Sequence, residues 1–315
     1  MDDDARVRAG DCRERAVVTR ATVGPIYGGA VASPGSVQVV VVGVDGSAAS
    51  ATALRWACGV VDPAGTVLAV HSDDSDEAGV PADSAESWVA RAGIADDRVV
   101  PTSTTAPPAA GLLDVARQHD ADLVVIGAHE QRHRMWHRLG AIAHALLSST
   151  DRPVAVVGAD WDRREASSTV VAGVGDGPAT RAALRWSAAF AAANDTPLEL
   201  IRALPNRPVF HEDGLLDVIA FYVAPDLRRT WAVDDLERIA DEIQRSTDAE
   251  LSITWSARPG APGPTLVEAG SDAALLVVGL HERPRATNDD VPAWLRRALL
   301  HAPCPVVIVP PASDA

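Results

Sequence analysis

The stretch VVVGVDGSAASATALRW, Val40–Trp56, returns as VVAGVGDGPATRAALRW, Val170–Trp186, at a constant offset of 130 residues. Each copy is an apolar run, a Gly-Val pair, a turn of small residues, and then Ala, Thr, Leu, Arg and Trp in helical phase. At its centre the first copy has Asp45 where the second has Gly175. The echo resumes downstream. VVIGAHE (Val124–Glu130) recurs as VVGLHE (Val277–Glu282), and RPVAVV (Arg152–Val157) as CPVVIV (Cys304–Val309), both at an offset of 152. Three blocks in one order indicate an internal duplication, and each unit is long enough to hold its own core. The change of offset places 22 extra residues inside the second unit.

The continuous apolar runs VVVVGV, TVLAV, DLVVIGA and PVAVVG suit strands buried on both faces, as in a parallel sheet. Helical stretches alternate with them at 50–61, 85–92 and 111–119, and in the second unit at 179–194, 231–246 and 265–269. DRVVPTS reads as a weak strand and AELSITWSA as a clear one. Alternation of this kind predicts two tandem, doubly wound α/β domains, each with a five-stranded parallel sheet and helices on both faces. The expected boundaries are a flexible extension over 1–36, a first domain over 37–158, a polar linker over 159–168 and a second domain over 169–310. PVAVVG and PVVIVP, the last strand of each domain, are apolar edges and should lie together, because paired edges are safer than exposed ones.

Bulk properties narrow the function. The 315-residue chain is 47% hydrophobic but only 4% aromatic, so its cores must be built from Ala, Val and Leu. A net charge of −15 argues against nucleic acid, whose phosphates call for a basic face. Cys12, Cys58 and Cys304 are too few and too scattered for a disulfide framework, which fits a reducing cytoplasm. The acidic MDDDARVRAGDCRERAVV start lacks the apolar core of a secretory signal, and no run is long enough to span a bilayer. The expectation is a cytoplasmic protein with no membrane partner.

In open α/β sheets, ligands bind beyond the carboxyl ends of the strands. Val44 and Asp45 close the first strand, and Gly127 closes the fourth. Here the chain resembles the universal stress protein family, in a tandem form of the actinobacterial type. The resemblance covers both predicted domains. It implies a stress-response regulator with Rossmann-like domains, many of whose relatives bind ATP. The family motif is glycine, two residues, glycine, nine residues, glycine, then Ser or Thr, in which backbone N–H groups cradle phosphates. Counted from Gly127, this chain has Glu130, Gly140 and Ala141 at the three following motif positions, so two glycines remain and the hydroxyl is absent. The resemblance also implies that Asp45 contacts the adenine nucleoside. A turn or N-cap role in DGSAAS suits Asp45 equally, and both readings stand.

The second unit departs further. Gly175 replaces the aspartate, no glycine follows Gly279, and LHERPRATNDDVPAW puts prolines where N–H donors would be needed. ATP is therefore expected in the first domain only. The first unit also carries HEQRHRMWHR (129–138) in an otherwise acidic chain. Arg132, Arg134 and Arg138 are candidates to hold phosphate in place of the missing glycine nest; the plainer reading is a solvated loop. The spacing of His129, His133 and His137 would align them on a helix, but a metal site is the weaker reading. No nucleophile elbow or Ser-His-Asp arrangement is visible, so no catalytic residue is assigned, although weak ATPase activity is compatible with the residues. Two alternatives remain: a scaffold with two degenerate pockets, and a hydrolase or nucleotidyl transferase of related fold. The terminal strands that pair the domains could also serve a homodimer.

Overall fold

A computed structural model describes residues 37–73, 84–128, 140–162, 168–205, 225–247, 249–281, 284 and 291–311. The first half runs β1 (Val37–Gly43), α1 (Ala48–Val60), β2 (Val61–Ser72), α2 (Ala85–Arg91), β3 (Val99–Thr104), α3 (Pro108–Gln118), β4 (Leu123–Gly127), α4 (Ala141–Ser149) and β5 (Val154–Val157). The second half runs β6 (Val170–Gly173), α5 (Pro178–Ala193), β7 (Leu198–Leu204), α6 (Pro225–Ser246), β8 (Ile253–Pro259), α7 (Pro262–Gly270), β9 (Leu275–Gly279), α8 (Ala293–His301) and β10 (Val306–Val309).

The strands form one ten-stranded sheet in the order β3-β2-β1-β4-β5-β10-β9-β6-β7-β8. Within each half every described pairing is parallel. The continuous apolar runs follow from burial on both faces. Val40 and Val42 face one core, while Val41 between them faces the other. α1, α5 and α6 fill the first core together with the half-buried side chains of α2; α3, α4, α7 and α8 fill the second. Each fully buried Val or Leu contributes about 1.5–3 kcal/mol relative to leaving it exposed.

The seam between halves is the antiparallel pair β5–β10, with Val306 opposite Val156, Val307 opposite Ala155 and Ile308 opposite Val154. All six residues are buried, so the two apolar edges expected to lie together do so. Because the seam is antiparallel and equivalent helices share a face, the two halves are related by a pseudo-twofold axis normal to the sheet. The carboxyl ends of their strands therefore point to opposite edges, and the two ligand crevices are separate.

Some boundaries differ from those read in the sequence. β2 begins at Val61 rather than at TVLAV, and its register against β1 slips between Val37–Val61 and Val39–Thr66. Gly65 sits at this irregularity with its Cβ position 2.4 Å from the Gln38 carbonyl oxygen, too close for any side chain. The Arg98 guanidinium ties the region together, donating to the carbonyls of Cys58, Val61 and Asp62 and to the Asp96 carboxylate. The weak strand DRVVPTS becomes a full edge strand, β3, paired with β2 from Val99 to Thr104. α4 and α8 lie where the sequence periodicity names no helix. Each has nine residues.

Candidate functional site

In the first half the strand order reverses at β1, whose two neighbours are β2 and β4. The crevice beyond its carboxyl end is lined by the turn Val44–Ser47. Val44 is buried; its N–H donates to the Val70 carbonyl at 2.9 Å, and its own carbonyl oxygen lies 2.9 Å from His71 Nδ1. A carbonyl only accepts, so the His71 proton resides on Nδ1, and Nε2 points toward Asp73 at 3.6 Å. Asp45 is exposed, and its Oδ1 accepts the Ser47 N–H at 2.9 Å. Ser47, not Asp45, is the N-cap of α1, its hydroxyl accepting from the Ser50 N–H at 3.0 Å. Asp45 thus shapes the turn while its carboxylate stays at the carboxyl edge of the sheet. Both roles read for it in the sequence are geometrically compatible.

Gly127 has a reason to be glycine that involves no ligand. A Cβ there would lie 2.5 Å from the Ala49 carbonyl carbon and 2.7 Å from the Ser50 nitrogen. In the second half, Gly279 meets Ala179 and Thr180 in the same way, at 2.4 Å and 2.9 Å. Close contact of β4 with the first turn of α1, and of β9 with the first turn of α5, accounts for glycine in both copies. Gly140 is different. It is the N-cap of α4, and among the described residues it has no side-chain cap and nothing within 4 Å of its Cβ position. Ala141 is the first residue of that helix, and it is exposed. Arg132, Arg134, Arg138 and the histidines at 129, 133 and 137 lie outside the described residues.

The second crevice has been rebuilt with other chemistry. By strand register Arg202 stands where His71 does in the first half, since Ile201 pairs with Gly173 as Val70 pairs with Gly43. Its guanidinium binds Asp235 of α6 at 2.8 Å and lies 3.8 Å from Asp176. His281, the counterpart of His129, rests 3.6 Å from the Cβ positions of both Gly175 and Gly177. The N-cap of α8, at the place of Gly140, is Pro292, which has no N–H to offer. Ion pairs and an imidazole thus lie at the second turn, and a proline starts the helix that matches α4.

The family model for universal stress proteins matches residues 36–158 and again residues 167–310. The chain belongs to the universal stress protein family. Universal stress protein Rv2623 of Mycobacterium tuberculosis (strain ATCC 25618 / H37Rv) is 28% identical over 141 residues, covering 44% of this chain and 46% of that relative. The chain therefore matches about half the length of the curated relative. Among solved structures, a protein of unknown function from Pseudomonas aeruginosa PAO1 aligns with TM-score 0.60 and 12% identity over 88% of this chain and 93% of its own. A universal stress protein from Archaeoglobus fulgidus DSM 4304 aligns with TM-score 0.56 and 13% identity over 89% and 98%. At these identities the structures establish the shared fold. They do so over 88–89% of this chain, a span that takes in both domains.

Among the described residues no group of three His, Cys, Asp or Glu side chains could hold a metal ion, and no helix is long and apolar enough to cross a membrane. Sequence reading missed Trp88, the neighbour of His71, which the fold brings against Gly46. A Cβ on Gly46 would fall 1.7 Å from the indole ring. No sequence spacing signals this contact, because the two residues come from separate crossovers.

Proposed function

We propose that this universal stress protein binds one adenine nucleotide per chain, in the first domain, and acts through regulation rather than turnover. The asymmetry between the two crevices carries the reading. The first keeps a carboxylate at Asp45, on the carboxyl edge beyond β1, and a helix start at Gly140 that no described residue caps or obstructs. The second has Gly175 for Asp45, Pro292 for Gly140 and side chains across the turn. In this reading Val44 and Asp45 take the nucleoside. The N–H groups at the start of α4, from Ala141 onward, face the phosphates with the favourable end of the helix dipole. Arg132, Arg134 and Arg138 add charge-assisted contacts, and the residue at 130 contributes no glycine. The nucleotide supplies the signal, while the chain supplies recognition and two linked domains that respond to it.

Equilibrium dialysis of ATP against the full chain tests this. One site per chain is expected, and Asp45→Ala should weaken binding about ten- to a hundredfold, the loss of a hydrogen bond to a charged group. Two sites per chain, or affinity indifferent to Asp45→Ala, would refute it. A second reading, a scaffold that binds no nucleotide, is favoured by Gly127: the glycine that the two copies share is explained by helix packing alone.

A further inference from the structure

We propose that Trp88 is a resident occupant of the first crevice, an indole lying in the place of a planar bicyclic base, and that a ligand enters only as this side chain leaves. The inference deepens the nucleotide reading and rests on it for the identity of the incoming ligand. The wall of the crevice is flat at one residue. Gly46 has φ +76, a left-handed conformation, and its Cβ position is 1.7–2.2 Å from three atoms of the six-membered ring of Trp88. Backbone strain and steric exclusion both demand glycine here, so an aromatic face can lie directly on the main chain. His71 approaches the indole from the β2 side, ring centroids 6.1 Å apart and planes tilted by 57°. The Arg91 guanidinium covers the ring at 3.6 Å. Indole and purine are both planar, fused five- and six-membered rings. A slot lined by a bare glycine, an imidazole and a guanidinium suits either one.

The occupant is held loosely enough to leave. α2 has seven residues, of which only Ala85 is buried, while Trp88 and Val89 pack half-buried against the core. The indole Nε1–H is buried and finds no hydrogen-bond partner among the described residues. A donor buried without an acceptor among the described residues makes this a poor resting place for tryptophan. The second half lacks the device. The residue matching Gly46 is Asp176, which carries a side chain, and Arg202 pairs with Asp235 where an imidazole faces an indole in the first half. Its helix α6 is fixed by four buried apolar residues, Ala232, Leu236, Ala240 and Ile243.

The test uses the full chain with Trp88→Ala and Trp88→Leu. The leucine keeps an apolar contact that docks α2 but vacates the ring plane. Both variants should bind ATP and adenosine at least tenfold more tightly than wild type. Free indole should bind Trp88→Ala, not wild type, and compete with ATP. Affinity for ATP that is unchanged or weaker in both variants would overturn the proposal; weaker binding would mark Trp88 as a stacking platform instead. If neither wild type nor variants bind ATP, the nucleotide reading fails. In that case indole binding to Trp88→Ala still supports a slot filled by the side chain, and no indole binding overturns it.

Discussion

Gly127→Ala and Gly279→Ala separate a packing role from a phosphate role at the residue on which the family motif begins. The new methyl would sit 2.5 Å from the Ala49 carbonyl carbon in one half and 2.4 Å from the Ala179 carbonyl oxygen in the other. Both obstacles are main chain in the first turn of a helix, so no rotamer change relieves them. Overpacking of this kind costs about 1–3 kcal/mol. The alanine recovers up to about 1 kcal/mol by restricting the unfolded chain, so the net effect remains destabilising. For units of this size that corresponds to a fall of roughly 2–8 °C in melting temperature. Gly158→Ala is the matched control, because no described residue lies within 4 Å of its Cβ position. Calorimetry without nucleotide should show similar losses for the 127 and 279 variants and none for the 158 variant. The reasoning is refuted if Gly127→Ala melts like wild type while its ATP affinity collapses, since the glycine would then serve the ligand.

Other tests address separate parts of the molecule. Hydrogen bonds from Arg98 hold the Asp96 carboxyl below the usual carboxylate range. A carboxyl depressed by folding stabilises above its unfolded value, near 3.9, and that contribution is lost as pH falls through the folded value. Wild type should therefore lose more stability than Asp96→Asn between about pH 5 and pH 2, and parallel denaturation profiles would contradict the ion pair. Burial pushes the Cys304 thiol up to about 12 and, with the Asp96 charge, Cys58 to about 11. In a Cys12→Ser background both should react with a thiol reagent at pH 8 only on unfolding, and rapid labelling of the native chain would count against this packing. Ala155→Asp places a charge in the buried seam opposite Val307. It should destabilise the chain by about 3–5 kcal/mol, read from the denaturant midpoint, and a neutral result would mean the seam is not closed in solution.

What the sequence by itself determined is the repeated frame. Apolar runs without alternation dictate strands buried on both faces, and a duplicated order of blocks dictates two such units with their last strands together. Asp45 against Gly175 already shows that the crevices differ. These signals are local, carried by neighbours along the chain, and the structure realises them in β1, β6 and the β5–β10 seam. Tertiary structure decided what is not local. Gly127 looks like a ligand residue until the backbone of α1 is found 2.5 Å from its Cβ position. Trp88 and Gly46 are 42 positions apart in the sequence and in contact only because β2 returns beside β1. Arg202 takes the place of His71 through strand register, although the residues around the two positions share no motif. Steric exclusion and side-chain exchange across a crevice depend on distances between elements, and no pattern along one element encodes them.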